Sequence, residues 1–236
     1  GLLGLSRDIT ERKLHQHRLK ELNYCLLSLG SDYRENVNRL TALCGELLGA
    51  TCALYSSLNS GMLCANGQWE SPPDLGFSET PEGHICHDVI RNNKQLLVER
   101  DLQNSIYART DPNVVKYSLQ SYMGSVVLRG GLPHGALCVV FQRDFVPTES
   151  EKHIIQIIAS AISSEEEREL TWSQLRRRQE MERLLLEISG RFISVSASEL
   201  DNAVRDSLKS LGSFCDVDRC FVMQFDHRSR TMSNTH

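Results

Sequence analysis

Ser121-Tyr122-Met123-Gly124-Ser125-Val126-Val127-Leu128 decides how this chain reads, together with two blocks that follow it. These are Gly135-Ala136-Leu137-Cys138-Val139 and Phe145-Val146-Pro147-Thr148-Glu149-Ser150-Glu151. The apolar runs predict strands at Ser125–Arg129 and Ala136–Gln142, with Gly130-Gly131-Leu132-Pro133-His134-Gly135 making the reversal. Their apolar residues run on without alternating, which suits central strands covered on both faces. Thr148 and Glu151 have the spacing of a capping box, so a helix opens there. Its pattern extends for about 40 residues. Ile154, Ile158 and Ala161 form its first seam, Glu165-Glu166-Glu167-Arg168-Glu169 interrupts the stripe, and Trp172, Leu175, Met181, Leu185, Ile188, Phe192 and Val195 resume it. The step from Leu175 to Met181 is one residue short of a heptad, which reads either as an overwound coiled coil or as a solvated helix between domains.

Upstream of these blocks, a helix over Asn36–Leu48 carries Val37, Leu40, Leu43, Cys44, Leu47 and Leu48 on one face. Strands follow at 51–58 and 62–69, joined through the turn signal Asn59-Ser60-Gly61. Residues 70–83 hold three of the six prolines and read as a loop. A short helix at 84–92, a strand at Gln95–Glu99, a polar loop at 101–113 and a helical stretch at 113–122 lead back to the opening block. At the other end, Leu2-Leu3-Gly4-Leu5-Ser6-Arg7-Asp8-Ile9 reads as a short strand feeding a helix. Asp8 and Glu11 would cap that helix near Ile9. It carries Leu19, Leu22, Leu26 and Leu29 as a coiled-coil seam.

A net charge of −4 and a pI near 6.1 give no electrostatic footprint for nucleic acid. The longest apolar stretch, around Ile154–Ile162, is too short to span a bilayer. The eight cysteines include no C-x-x-C pair and mostly sit in apolar runs, as expected for buried free thiols in a reducing cytoplasm. The order helix, helix, strand, turn, strand over 26–68 begins again over 185–236. Leu185-Leu186-Glu187-Ile188-Ser189-Gly190 matches Leu26-Leu27-Ser28-Leu29-Gly30, as in a diverged domain duplication. The chain also begins without Met, and it reads as an internal piece of a longer polypeptide.

The opening blocks closely resemble the GAF domain family. In that family a Tyr-x-Gly strand, a Gly-x-Leu strand and a Thr-x-x-Glu helix start recur in this order and spacing. Gly83-His84-Ile85-Cys86 with Val89-Ile90 and Gln95-Leu96-Leu97-Val98 resembles the segment just upstream in the same family. The resemblance implies an α+β fold, in which a central antiparallel sheet has terminal helices on one face and loops and short helices on the other. Arg7-Asp8-Ile9-Thr10-Glu11-Arg12-Lys13 is similar to the end of a PAS domain, its PAC segment, and residues from about 183, through Thr231–His236, resemble the opening of a second GAF domain. The implied layout is a PAS end over 1–10, a connecting helix over 11–29, and a complete GAF domain over 20–165. A signalling helix over 163–192 and the truncated second GAF domain over 183–236 complete it. Such rows precede histidine kinase, diguanylate cyclase or phosphodiesterase output domains, so the expected role is sensory or regulatory and not enzymatic. The expected setting is a cytoplasmic homodimer joined through helical linkers, with a small-molecule effector and no nucleic-acid partner.

The resemblance places a ligand pocket over residues 70–122, with Cys86, His87, Tyr107 and Tyr122 as candidate contacts. The cofactor is left open. Bilin attachment needs a cysteine shortly before the Tyr-x-Gly strand, and Asn113-Val114-Val115-Lys116-Tyr117-Ser118 has none. Asn93-Lys94 starts a cyclic-nucleotide signature that is not completed. His84, Cys86 and His87 offer soft ligands for iron or zinc. On a helix, though, the two histidines would share a face that Cys86 leaves. The plainer reading packs Cys86 inward and leaves both histidines near the surface. Arg91, Arg100 and Arg109 could hold an anionic effector, with solvated surface charge as the plainer reading, and Tyr117 is a further candidate lining residue. Two alternatives to an effector site stand: a ligand-free dimerisation module, and a thiol redox enzyme using Cys86 with Cys64 or Cys138 as resolving cysteine.

Overall fold

A computed structural model describes residues 2–234. The side chains of residues 1–12, 14 and 15 lie outside that description, and with them the Asp8–Glu11 capping contact. Thr235 and His236, the end of the block similar to a second GAF domain, also lie outside it. The chain forms two compact units, Gly1–Leu170 and Thr171–His236.

In the first unit the order is α1 (Leu2–Leu27), α2 (Tyr33–Leu48), β1 (Cys52–Asn59), β2 (Met62–Trp69), β3 (Ser78–Glu79), α3 (Ile85–Arg91) and β4 (Leu97–Arg100). A 3-10 turn (Leu102–Asn104), α4 (Tyr107–Thr110), α5 (Pro112–Lys116), β5 (Ser121–Arg129), β6 (Leu132–Phe141) and α6 (Glu149–Ser194) follow. The six strands make one sheet in the order β3-β2-β1-β6-β5-β4, antiparallel throughout. This is the α+β architecture expected. Alternation along each strand sends side chains to opposite faces. Ala53, Tyr55, Leu137, Val139 and Phe141 bury against α2 and α6, while Cys52, Ala136, Cys138 and Val140 bury against the small helices. Both faces are thus covered, which explains the unbroken apolar runs.

Local chemistry sets the element ends. Asp32 caps α2 by accepting from the Glu35 N–H at 2.8 Å, and Gly49 closes it in the left-handed region at φ 58. The Thr148–Glu151 box forms as expected: the Thr148 N–H donates to Glu151 at 2.8 Å, and the Glu151 N–H donates back to Thr148 Oγ1 at 3.3 Å. From there α6 buries Ile154, Ile155, Ile158, Ala159 and Ile162 on the sheet. Each isoleucine contributes about 2 kcal/mol by leaving water.

Four expectations change. Residues 2–9 are helical, not a strand; among the described residues no strand lies alongside to pair with them, and a helix satisfies its own backbone. The α1 seam folds onto its own domain, with Leu22 and Cys25 buried in the helix-face core and Leu19 exposed. The stretch 101–122 is neither plain loop nor one helix but three short helical turns before β5 begins at Ser121. The reversal after β5 is the two-residue turn Gly130-Gly131, both at positive φ, and Leu132-Pro133-His134 already belong to β6. Pairing jumps from Val127–Gly135 to Leu128–Pro133, so His134 is a bulged residue. Proline and glycine in a strand are characteristic of bulges as well as turns, and the sequence alone suggested the turn.

The second unit holds the rest of α6, then α7 (Leu200–Cys215), and a hairpin of β7 (Met223–Asp226) and β8 (Thr231–Asn234). Its order matches that of α1, α2, β1 and β2. Among the described residues no helix is long and apolar enough to cross a membrane.

Candidate functional site

On the sheet face opposite α2 and α6, the loop after β2, the start of α3 and the α5 segment enclose a cavity of about 130 Å³. That is close to the space that accepts a benzene-sized guest. Cys52, Leu54 and Ser56 of β1 and Cys138 and Val140 of β6 form its floor. Glu79, His84, Cys86, Asp111 and Tyr122 also line it, as does Glu70 at the rim.

His84 is the organising polar group. It takes extended backbone as the N-cap of α3 (φ −74, ψ 139), so the helical spacing rule does not govern its direction, and it turns inward to 7% exposure. Its Nδ1 lies 3.3 Å from Asp111 Oδ1 and its Nε2 3.4 Å from Glu79 Oε2. Asp111 is fixed in turn. It accepts from the Ile85 N–H at 3.1 Å and caps α5 through the Asn113 N–H at 3.0 Å. The hydrogen bond to Asp111 raises the His84 pKa against the opposing effect of burial, with the Glu79 charge adding to the rise. The expectation of two surface histidines is thus wrong for His84.

A second group sits beside it. Cys86 Sγ is 3.5 Å from Cys138 Sγ and 3.5 Å from the Tyr122 hydroxyl. Tyr122 reaches Cys86 by lying across Gly124: a Cβ at position 124 would stand 2.3 Å from the tyrosine oxygen. The Tyr-x-Gly pattern therefore has a steric reason, because glycine leaves room for the ring. The hydrogen bond with Cys138 lowers the Cys86 pKa, outweighing burial, and the Tyr122 hydroxyl adds to the lowering. Cys138 is pushed well up by the Cys86 contact and by burial.

Two of the four candidate residues, Cys86 and Tyr122, therefore meet at the cavity. Tyr107 does not line it. Its ring packs behind the lining and its hydroxyl donates to Asp88 at 3.0 Å, with burial and that carboxylate pushing its pKa up to about 12. His87, in the first turn of α3, stays half-buried away from the lining. Glu79 and Asp111 had no signal in the sequence beyond their place in a polar loop. Among the described residues no group of three or more His, Cys, Asp or Glu side chains is arranged to hold a metal ion.

The helix face holds a buried centre of its own. Glu166 of α6, 2% exposed, accepts from the hydroxyls of Tyr33 and Tyr55, the latter at 2.5 Å. Arg129 Nε and the bulged His134 Nε2 lie 3.6 and 3.7 Å from its other oxygen. Glu165 is buried beside it, accepting from Asn36 at 2.9 Å. The acidic run thus does not end the buried face of α6; paired partners keep it inside.

The model of the GAF domain family matches residues 32–165, more than half of the chain, and the chain belongs to this family. Its members are generally sensory or regulatory ligand-binding modules. Among solved structures, the bacteriophytochrome RpBphP3 from R. palustris is similar over 84% of this chain at 7% identity and a TM-score of 0.61. The chain spans about half the length of that protein, 46%. The nlh2 GAF domain of A. aeolicus in an inactive state is similar at 12% identity, with a TM-score of 0.53, 64% of this chain and 96% of that one. The free methionine-R-sulfoxide reductase of Neisseria meningitidis, solved with its substrate, is similar at 12% identity and a TM-score of 0.55, over 66% of this chain and 91% of that one. These likenesses are of fold. Compared with curated proteins by sequence, the chain matches none.

Proposed function

We propose that this GAF domain senses a small neutral or cationic effector in the cavity and relays its presence through α6 to neighbouring domains. The observation that carries the reading is the two-sided role of β1. Its Leu54 and Ser56 floor the cavity, while Tyr55 between them donates to Glu166 of α6. A guest that shifts the floor acts on the helix through one residue. It biases the helix by its differential affinity for the two arrangements. The lining includes Glu70, Glu79 and Asp111 but no lysine or arginine, and the imidazole of His84 is already engaged by Asp111 and Glu79, so an anionic guest such as a cyclic nucleotide lacks a free counter-charge. The cavity also favours this reading over a ligand-free dimerisation module.

In the wider protein, the chain flanks support a row with a PAS end before the domain and a second GAF domain after it. We place that row ahead of a histidine kinase or a cyclic-di-GMP enzyme in the cytoplasm. Exposed Trp172, Leu175, Leu185 and Ile193 on α6 support a homodimer through that helix. A second reading, reduction of a small sulfoxide by Cys86, draws on the 3.5 Å separation of Cys86 and Cys138. Sulfoxide turnover by the wild type that is lost in Cys86→Ser would bear it out.

Native mass spectrometry of the chain tests the first reading, by retained ligand and by dimer mass. It is paired with thermal-shift screening of small amines, neutral compounds and carboxylates. Amines or neutral compounds should raise the melting temperature, and Ser56→Ile, which fills the floor, should abolish the rise. Stabilisation by anions alone, or a response unchanged in Ser56→Ile, would overturn it.

A further inference from the structure

We propose that Cys86 and Cys138 form a peroxide-responsive dithiol in the cavity wall, which oxidises to an intramolecular disulfide joining α3 to β6. This goes beyond the effector reading and does not depend on it, since a chain that bound no effector would still form the bond.

The pair is held by independent elements. Cys138 sits in a central strand, paired opposite Leu54 on one side and Gly124 on the other. Cys86 is positioned by α3, whose Ile85, Val89 and Ile90 are buried and whose first N–H is held by Asp111. These anchors bring the two sulfurs to 3.5 Å across 52 residues of sequence. A disulfide requires about 2 Å, so a small approach of α3 completes it. Cys52 also lines the cavity, but burial pushes its pKa up to about 12, and its sulfur has no such contact with Cys86 among the described hydrogen bonds.

The two thiols differ in the way a nucleophile and a resolving thiol must. Cys86 is half-buried and faces the cavity, whereas Cys138 is 1% exposed. Hydrogen bonds from Cys138 and Tyr122 favour the Cys86 thiolate, the form that attacks. The thiolate attacks one oxygen of hydrogen peroxide, the O–O bond breaks, and Cys86 becomes a sulfenic acid with release of hydroxide. The Cys138 sulfur then attacks the Cys86 sulfur, and the sulfenic oxygen leaves. The hydroxide takes the Cys138 proton, and the departing oxygen completes a second water with a proton from solvent that replaces the one Cys86 gave up on ionising. Overall two thiols and one peroxide give one disulfide and two waters. Peroxide is small and uncharged, matching a confined cavity with acidic groups in its wall. The new bond would take from Tyr122 its thiol partner and draw the start of α3, with His84, toward the floor.

The test uses the whole reduced chain, exposed to hydrogen peroxide near stoichiometry, quenched by alkylation and mapped by peptide mass spectrometry without reduction. The linked Cys86–Cys138 peptide should accumulate first and disappear with dithiothreitol. In Cys138→Ser, oxidation should stop at a Cys86 sulfenic acid that dimedone traps. In Cys86→Ser, oxidation of Cys138 should slow by about tenfold or more. Oxidation of exposed Cys215 and Cys220 while Cys86 and Cys138 remain alkylatable would overturn the proposal, as would a Cys86–Cys52 link. The wild-type peptide map alone decides between these outcomes even if a variant fails to fold. A linked peptide without any effector binding would sink the effector reading alone.

Discussion

Each face of the sheet gathers a tyrosine, a histidine and a carboxylate, and among the described residues the apolar-floored cavity lies beside those of one face, the face opposite α2 and α6. On the helix face Tyr33, Tyr55, Arg129 and His134 converge on Glu166, on the same helix that buries Ile154, Ile155, Ile158 and Ile162. On the other face His84, Asp111 and Glu79 hold short helices over a void. The same residue types thus make a closed pin in one place and an open site in the other. What differs is the covering element. A long helix packs continuously, whereas helices of four to seven residues meet the sheet only at points and need side-chain caps to hold them.

The most damaging way to break the comparison is Glu166→Leu. It strips the Tyr33 and Tyr55 hydroxyls of their acceptor and Arg129 of its ion-pair partner, and urea unfolding should show a loss of about 3 kcal/mol. A loss under about 1 kcal/mol would mean that apolar packing alone seats α6. Asp111→Ala removes the cap of α5, the acceptor for Ile85 and the partner of His84, and should cost about 2 kcal/mol in the same assay. It should also weaken any effector binding, which Glu166→Leu at an intact fold should leave in place.

The smallest effects distinguish the two histidines. His84 has a raised pKa, so its stabilisation is complete below about 6.5 and is lost as pH rises through its folded value. His134 has a lowered pKa, chiefly from burial, with Glu166 opposing and Arg129 assisting. Its contribution is present above about 6.5 and fades as pH falls through its folded value. The stability gap between wild type and His84→Gln should therefore narrow toward alkaline pH, and that for His134→Gln toward acid. Unfolding curves at a series of pH values that showed both gaps moving the same way would contradict the assignment.

The sheet was largely legible in the sequence because its signals are local. The Thr148–Glu151 box, the Asn59-Ser60-Gly61 turn and the apolar runs of β5 and β6 each declare themselves within a few residues. Cys86 and Tyr122 were legible through the pattern around them. What escaped depends on contacts between distant segments. The direction of His84 follows from its place as a cap, and the burial of Glu165 and Glu166 follows from partners well over a hundred residues away. The aim of His134 follows from a bulge, which no composition rule separates from a turn. Residues 101–113 read as a polar loop because the helical turns there are too short to carry a periodic stripe.

The ends of the six-stranded sheet carry one more consequence. Its outermost strands are β3, two residues long, and β4, four residues long. So little free ladder gives a neighbouring chain almost nothing to template on, which guards against edge-to-edge aggregation. Self-association of this domain is thereby steered away from strand addition, and at high concentration the first unit should stay free of fibrils.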